Sequence, residues 1–234
     1  MPFDVASVRE RLPGRRIDWF ARTDSTMIQA RTAVEPGRVI VADEQTAGMG
    51  RHGRTWLSAP GEGLYVSMIL AAKPVPVIML ALGLATQEAI VTVAGLHADL
   101  RWPNDVLVNG RKCAGVLAQV DSGAIVAGIG INVSQADFPD DLETPATSLA
   151  REGARVRREE LLIKLVEAVD RCSQLSAEET LRAFAEASSY VFGKRVRAGE
   201  VVGVTCGLTP AGFLRVREDN GTETTIVAGG VRPI

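Results

Sequence analysis

The sequence contains very few histidines and cysteines. Its 234 residues include two histidines, His52 and His97, and three cysteines, Cys113, Cys172 and Cys206. Two histidines exclude a histidine-rich metal site and argue against a Ser/His/Asp triad. The cysteines are odd in number, widely spaced and form no C-x-x-C pair, so neither a zinc site nor a disulfide framework is predicted. Such cysteine usage is typical of a protein of the reducing cytoplasm.

Strong charge and long apolar runs are missing as well. The formal net charge is −2, which provides no bulk attraction for nucleic acid. The N-terminal segment lacks an apolar secretory core, and no apolar run reaches the roughly 18 residues that span a membrane. We therefore expect no binding to nucleic acid or to a membrane. Aromatic residues form only 5% of the chain, so the core should consist mainly of aliphatic side chains.

The remaining composition is that of an ordinary globular protein. Hydrophobic residues make up 46% of the chain and charged residues 23%, which is enough apolar material for a real core. Periodicity predicts helices at residues 4–12, 24–34, 76–94, 157–170 and 177–188, and strands at residues 17–22, 38–43, 63–70, 105–108, 113–120 and 124–133. Asn109-Gly110 between two of these strands predicts a type I′ hairpin turn, because both residues tolerate positive φ.

The pattern changes near residue 189. Before it, strands and helices of mixed order predict an α+β domain over residues 1–188, built around a mixed, mainly antiparallel sheet. From Gly193 onward, short strands are separated by turn signals such as Pro210–Gly212 and Asn220-Gly221. This second pattern predicts a small β-barrel over residues 189–234.

A glycine-rich loop spans residues 44–56, EQTAGMGRHGRTW. Its three glycines match G-x-G-x-x-G, but Pro60 follows closely, so the helix that a dinucleotide site requires is not expected. The sequence has neither a P-loop nor the protein-kinase motifs. Three glycines still let the backbone approach an anion, and Arg51 and Arg54 add charge with planar donors. Trp56 offers a stacking face; the alternative is a solvated surface hairpin.

Three further motifs are weak on their own. Thr23-Asp24-Ser25-Thr26 precedes a helix, with Gln29 placed for a capping box, and a helix N-terminus also suits polar ligand atoms. Arg101–Asp105 (RWPND) predicts a stiff turn and is followed by K-x-x-G from Lys112. Gly128–Val133 (GIGINV) ends an apolar strand, where glycines mark either tight packing or the close approach of a ligand.

The order of these motifs is far more specific than any one of them. D-S-T, E-Q-T-A-G-x-G-R-x-G-R-x-W, R-W-P-N-D, K-x-x-G-x-L and G-x-G-x-N-V follow one another, and a small β-domain comes last. This combination resembles the biotin–protein ligase family from about Ile17 to Val231. The resemblance implies a catalytic α+β domain akin to class II aminoacyl-tRNA synthetases, with a C-terminal SH3-like β-barrel. It further implies the monofunctional type without an N-terminal DNA-binding domain, as a monomer or homodimer.

The resemblance also implies an activity and its partners. The expected enzyme joins biotin to a specific lysine of a biotin carboxyl carrier domain, which belongs to a biotin-dependent carboxylase. The reaction would pass through biotinyl-5′-adenylate and use ATP and Mg²⁺. Two alternatives stay open: a lipoate- or octanoate-transferring relative on the same fold, and a biotin-binding protein without catalytic turnover.

Site residues follow from the resemblance motif by motif. Biotin would contact Ser25, Thr26, Gln45, Gly48, Met49, Gly50, Arg51, Lys112 and Gly115. The nucleotide would contact Arg51, Arg54, Trp56, Asn104, Lys112 and Asn132. Arg51 and Lys112 would carry the catalytic charge, and Asp105 would orient Lys112 or deprotonate the acceptor amine. Two positions depart from the usual family pattern: Met27 stands where Asn is usual, and Met49 where Arg or Lys is usual.

Overall fold

A seven-stranded sheet forms the centre of the molecule, in a computed structural model that describes residues 3–71 and 77–234. Its strands, in chain order, are β1 (Ile17–Phe20), β2 (Val39–Ala42), β3 (Gly63–Leu70), β4 (Asp99–Arg101), β5 (Asp105–Val108), β6 (Arg111–Asp121) and β7 (Ala124–Asn132). Their spatial order is β1-β2-β3-β7-β6-β5-β4. Of these pairs, β1–β2 is parallel and the others are antiparallel, so the predicted mixed, mainly antiparallel sheet is confirmed.

Helices cover this sheet. They are α1 (Val5–Arg11), α2 (Thr26–Arg31), α3 (Ile78–Ala94), α4 (Arg158–Cys172) and α5 (Ala177–Ala187). The helices α3 and α4 pack on each other and on the sheet, and α2 lies against β2, β3 and β7. Every residue of β3 and β7 is buried, which is why these strands are continuous apolar runs rather than alternating ones. No helix in the described ranges is long and apolar enough to cross a membrane.

The core is mainly aliphatic, as the low aromatic content predicts. Leu161, Leu165 and Val169 lie at helical spacing on α4 and are all fully buried, beside Leu82 and Ile90 of α3. Each such side chain contributes roughly 1.5–3 kcal/mol by leaving water. This packing holds the sheet rigidly behind the face that carries the polar motifs.

A second, five-stranded sheet follows. Its strands are β8 (Phe192–Ala198), β9 (Val201–Leu208), β10 (Leu214–Glu218), β11 (Glu223–Ile226) and β12 (Arg232–Pro233), in the order β11-β10-β9-β8-β12. The indole Nε1 of Trp102 donates a hydrogen bond to the Gly212 carbonyl over 2.9 Å and so ties this sheet to the first. The small β-domain is present as expected. Closure of its sheet into a barrel, and the domain boundary at residue 188, stay predictions.

Several element boundaries differ from the sequence-based predictions. The first strand ends at Phe20, because the chain then turns toward the D-S-T motif, and α2 ends at Arg31 rather than near residue 34. The cap of α2 is Ser25, whose Oγ accepts the Met27 amide, whereas the predicted capping box used Thr26 and Gln29. The short strand β4 lacks a sequence signal of its own. Residue 76, the start of the predicted third helix, lies outside the described ranges.

The tight hairpin between β5 and β6 has the predicted geometry. Asn109 and Gly110 both have positive φ, 49° and 73°, as a type I′ turn requires. A register shift between Val106 and Leu107 then sets Leu107 opposite Lys112. This hairpin therefore brings the start of β6 back beside the R-W-P-N-D segment.

Candidate active site

A cavity of about 870 Å³ opens above β3, β7 and β6. Small-molecule sites in proteins range from about 300 to 1,000 Å³. The motif residues that line the cavity are Ser25, Thr26, Gln45, Met49, Gly50, Arg51, Arg54, Trp56, Asn104, Asp105, Lys112, Gly115 and Asn132. Of the residues proposed from the sequence, Gly48 does not line it. The fold thus gathers motifs that are far apart in the chain around one volume.

Glycines form the floor of this cavity. Gly115 on β6 lies opposite Gly130 on β7, and the indole of Trp56 lies over both. A methyl group added at Gly130 would overlap that ring, and one added at Gly115 would lie 2.9 Å from it. At Gly128 the added methyl would lie 2.6 Å from the sulfur of Met27. The space above Gly115, one of the residues expected to contact biotin, holds the Trp56 indole in this structure.

The two methionines that depart from the family pattern occupy apolar positions. Met27 is 3% exposed and packs in a small cluster whose other buried members are Ala30, Ile40, Ile69, Ala124 and Val126. Met49 is partly buried and packs against the same cluster. Both therefore extend the apolar wall of the cavity, and neither adds a charge.

Hydroxyl and amide groups line the end of the cavity at the start of α2. The amide and hydroxyl of Thr26 both donate to Oε1 of Gln45, over 2.8 and 3.1 Å. The Nε2 group of Gln45 donates to Ser58 Oγ over 2.8 Å, and Ser67 Oγ donates to Thr26 Oγ1 over 2.8 Å. Ser25, the cap of α2, is fully buried beside them. This network fixes a compact polar pocket without a net charge.

The glycine-rich loop closes on itself as a narrow hairpin. The Trp56 amide donates to the Gly48 carbonyl over 2.9 Å, and the Gly50 amide donates to the Arg54 carbonyl over 2.8 Å. A methyl group at Gly48 would overlap the Trp56 carbonyl, and the turn itself uses a positive φ of 73° at Gly53. The loop contains a single 3-10 turn at Arg51–Gly53, and no α-helix begins within residues 54–71, where a dinucleotide-binding loop would have one.

Arg51 reaches from this loop across the cavity. Its Nη1 donates to Oδ1 of Asn104 and to the carbonyl of Gly229, both over 3.0 Å. Burial lowers the pKa of Arg51, and the nearby negative charge of Asp105 counteracts this in part. A guanidinium keeps its proton at neutral pH, so a fixed positive charge lies in a partly desolvated site.

Lys112 and Asp105 form an ion pair at the centre of the cavity. Lys112 Nζ lies 2.6 Å from Asp105 Oδ1 and 5.4 Å from the centroid of the Trp56 ring. The other oxygen of Asp105 accepts from Arg101 over 2.6 Å. Burial alone would raise the pKa of Asp105, but Lys112 and Arg101 outweigh it and the net shift is downward. Asp105 is therefore a stable carboxylate that holds Lys112 in place and is a weak proton acceptor.

Both asparagines proposed as nucleotide contacts are already bound within the protein. Asn104 accepts from Arg51 and donates from Nδ2 to the carbonyl of Val116 over 3.0 Å. Asn132 donates from Nδ2 to the carbonyl of Thr147 over 3.0 Å. Both side-chain amides therefore hold neighbouring groups in place, in addition to any contact that they make with a ligand.

Glu143 joins two arginines at the mouth of the cavity. A single carboxylate oxygen, Oε2, lies 2.8 Å from Arg54 Nη2 and 2.5 Å from Arg232 Nη2. The side chains of Glu143 and Arg232 are about half exposed, and that of Arg54 is about two-thirds exposed. Exposed pairs of this kind contribute about 0–1 kcal/mol, so an incoming anion can displace Glu143 easily.

Sequence reasoning missed several residues that line the cavity, namely Ser58, Arg101, Gln135, Glu143 and Arg232. Arg101 lies within the recognised R-W-P-N-D motif and could have been found there. The others belong to segments with no chemical motif, so only the tertiary structure identifies them.

Several known proteins are similar to this chain in sequence and fold. It is 35% identical to the biotin–acetyl-CoA-carboxylase ligase of Mycobacterium tuberculosis, over 98% of this chain and 94% of that protein. The biotin protein ligase of Aquifex aeolicus, solved in complex with biotin and ATP, superposes with a TM-score of 0.81 at 30% identity, covering 93% and 97% of the two chains. The ligase of Leishmania major with biotinyl-5-AMP gives 0.67 at 28% identity, over 93% of this chain and all of that one.

The family assignment rests on more than half of the sequence. The model of the biotin/lipoate A/B protein ligase family matches residues 16–135, the segment that holds every motif of the cavity. With a similar ligase aligned along nearly its whole length, this chain belongs to the biotin/lipoate A/B protein ligase family.

Proposed function

We propose that this chain activates biotin with ATP and transfers it to a lysine of a biotin carboxyl carrier domain. One observation carries the proposal: two cationic side chains, Arg51 and Lys112, line the same partly buried cavity as a neutral pocket of hydroxyls and amides. A substrate with a polar uncharged ring and a carboxylate tail suits that pair of environments. The proteins of similar sequence and fold are named as biotin ligases.

The neutral pocket suits the ureido ring of biotin. The Ser25 hydroxyl accepts from the Met27 amide, and its own proton has no acceptor among the residues described. Gln45 likewise uses one of its two amide protons, on Ser58. Both free donors can bind a ureido carbonyl. The backbone of Met49 and Gly50 would line the thiophane side.

The first reaction step needs positive charge above all. A carboxylate oxygen of biotin attacks the α-phosphorus of ATP, the bond to the pyrophosphate oxygen breaks, and pyrophosphate leaves. Two anions must approach each other, so Arg51 and Lys112 would offset their repulsion and stabilise the charge of the transition state. Arg54 would face the outer phosphates once these displace Glu143, and Trp56 would pack on the nucleotide.

In the second step the acceptor lysine amine attacks the carbonyl carbon of the mixed anhydride. The bond to the phosphate oxygen breaks, AMP leaves, and the amine gives up a proton. Asp105 could in principle take that proton, but its lowered pKa and two cationic partners favour a role in orienting Lys112. The protein then contributes chiefly positioning and electrostatics.

Magnesium would arrive with the nucleotide. The described part of the chain has no cluster of three or more histidine, cysteine or acidic side chains that could hold a metal ion. Mg²⁺ is commonly bound by substrate phosphates, water and one or two carboxylates, and Asp137 and Asp141 in the cavity lining would provide such carboxylates. The ion would supply charge neutralisation on the phosphates.

The proposed protein partner is the carrier domain of a biotin-dependent carboxylase, in keeping with the name of the mycobacterial relative. A net charge of −2 supports the absence of nucleic-acid binding. The oligomeric state expected from the sequence, a monomer or a homodimer, stays a prediction.

Pyrophosphate exchange into ATP tests the proposal. We expect exchange that depends on added biotin and on Mg²⁺. Exchange with lipoate or octanoate instead of biotin would move the activity to the lipoate branch of the family. Tight biotin binding without any exchange would contradict catalysis and leave a binding protein.

A further inference from the structure

Lysine is scarce in this chain. Among its 26 lysine and arginine residues, the four lysines are Lys73, Lys112, Lys164 and Lys194. Lys112 lines the cavity, Lys164 and Lys194 lie on α4 and β8 outside its lining, and Lys73 falls outside the described residues. The arginines of the lining are Arg51, Arg54, Arg101 and Arg232. The described part of the site therefore takes most of its positive charge from guanidinium groups.

The proposed reaction gives this choice a chemical meaning. Biotin joined to AMP is a mixed anhydride, and a neutral amine can attack its carbonyl carbon. The nitrogen then forms an amide, the bond to the phosphate oxygen breaks, AMP leaves, and the nitrogen gives up a proton. A protonated amine has no lone pair for this attack, and a guanidinium keeps its proton in proteins. An arginine beside the anhydride is thus inert, whereas a lysine is inert only while it stays protonated.

Lys112 has a carboxylate partner that favours its charged form. Its Nζ lies 2.6 Å from Asp105 Oδ1, and the side chains of Lys112 and Asp105 are 26% and 14% exposed. Loss of the ammonium proton would break this ion pair and leave the largely buried carboxylate with its other partner, Arg101. Such a loss is unfavourable, because an adjacent opposite charge stabilises an ionised group. Asp105 therefore opposes the conversion of Lys112 into a nucleophile.

Arg51 is held by neutral groups instead. Its Nη1 donates to Asn104 Oδ1 and to the Gly229 carbonyl, both over 3.0 Å. Burial lowers the pKa of Arg51, which a guanidinium tolerates without losing its proton. A lysine amine has an ordinary pKa of about 10.4, and the same burial without a contacting carboxylate would shift it toward its neutral form. A lysine at position 51 would thus place a nucleophile beside the anhydride.

We propose that the cavity excludes neutral amines of its own, so that none of these side chains competes with the acceptor's lysine for the activated biotin; this inference rests on the proposed function. Arg51 supplies positive charge from a group that does not react with the anhydride. Asp105 protects Lys112 from biotinylation in addition to holding it in place. Lys112 is accordingly a latent site of self-modification.

Synthetic biotinyl-5′-adenylate, added without ATP or acceptor, tests the protection of Lys112. Digestion and mass spectrometry measure the biotin on each lysine. Lys164 is the reference for reaction with free adenylate, since its side chain is 40% exposed. In the wild type, Lys112 should carry less biotin than Lys164. In Asp105→Asn, labelling of Lys112 relative to Lys164 should rise by at least about tenfold, because the bound adenylate is held beside the amine.

Arg51→Lys tests the choice of arginine in a protein that keeps the pair of Asp105 and Lys112. Labelling of the new lysine at position 51 should exceed that of Lys164 by at least about tenfold, again because the adenylate is bound beside it. Arg217→Lys is the matched control, since Arg217 is 60% exposed on β10 and lies outside the cavity lining. Its new lysine should be labelled to the same extent as Lys164.

Two outcomes would overturn the proposal. Equal labelling of Lys112 in the wild type and in Asp105→Asn would show that Asp105 gives no protection. Labelling at position 51 no higher than at Lys164 would show that an amine there does not compete for the anhydride. Unfolding of Asp105→Asn would label all its lysines evenly, and Arg51→Lys then decides. A wild-type protein that binds the added adenylate but shows no biotin-dependent exchange would contradict the proposed function alone.

Discussion

Asp105→Asn is the substitution that should separate positioning from proton transfer in this site. The Asp105 side chain is 14% exposed, and its partners Arg101 and Lys112 are 7% and 26% exposed. Removing the charge of Asp105 leaves two cations facing each other without a counter-ion. Losing one partner of a buried pair costs about 3–5 kcal/mol, and the partial exposure of Lys112 places the expected loss near the lower end, at about 3 kcal/mol of unfolding free energy.

The same substitution should slow adenylation. Without Asp105, Lys112 is no longer held over the cavity, so one electrostatic stabiliser of the transition state is lost. Such a loss typically lowers kcat by about 10²- to 10³-fold. We expect a smaller change in the KM for biotin, because the ureido pocket is formed by other elements. Biotin-dependent pyrophosphate exchange measures this half-reaction in the absence of any acceptor protein.

The pH dependence adds an independent check. The folded-state pKa of Asp105 is lowered, so its contribution to stability is fully present above its unfolded value of about 3.9 and is lost as the pH falls through the folded value. The stability difference between wild type and Asp105→Asn should be constant from pH 5 to pH 8, roughly, and shrink in stronger acid. Urea unfolding at a series of pH values measures it.

Asp121→Asn provides a matched control. Asp121 carries the same charge but pairs with Arg31 at 3.7 Å, with side chains 33% and 37% exposed. Removing this charge should lower the free energy of unfolding by at most about 1 kcal/mol and leave pyrophosphate exchange unchanged. Near-wild-type exchange by Asp105→Asn would refute the reasoning, since Lys112 would then need no counter-ion. A defect confined to transfer onto the acceptor, with normal adenylation, would instead favour Asp105 as the base.

Three further substitutions test other parts of the site. Lys112→Ala should raise the barrier to adenylation by about 2–4 kcal/mol, as for one lost electrostatic stabiliser, while Lys164→Ala, at a partly exposed lysine of α4, should exchange normally; equal rates would remove Lys112 from the mechanism. Arg51→Gly should release free biotinyl-adenylate, since the links to Asn104 and Gly229 are lost, and mass spectrometry should then find biotin on unrelated lysines. Full retention of the adenylate would contradict that role. Glu143→Gln should lower the KM for ATP a few-fold by freeing Arg54, and the gain should shrink with added salt; an effect that persists at high salt would exclude the electrostatic explanation.

Local sequence determined the features that depend on neighbouring residues. The Asn109-Gly110 turn follows from the two residue types that accept positive φ, and the structure has both. The strand Gly63–Leu70 was predicted with its observed bounds, because a polar, glycine-rich segment precedes a run that is apolar apart from Ser67. The order of motifs along the chain was enough to indicate the family, because motifs are recognised from residue types and spacing alone.

Tertiary structure alone decided which groups meet. The hairpin register places Lys112 beside Asp105, and this ion pair helps to lower the pKa of Asp105 against the effect of burial. Trp56 covers glycines on two strands that lie far away in sequence, a contact that no local pattern indicates.

The cavity residues outside the recognised motifs could not be identified from the sequence for the same reason. Gln135, Glu143 and Arg232 come from loops and from the last strand, where nothing in the local pattern marks a ligand-binding side chain. Their chemistry comes from burial and from partners supplied by distant segments, as in the Tyr65 and Asn132 bonds that fix the Gln135 amide. Residue type is written in the sequence, whereas desolvation, hydrogen-bond direction and charge pairing exist only once the chain has folded.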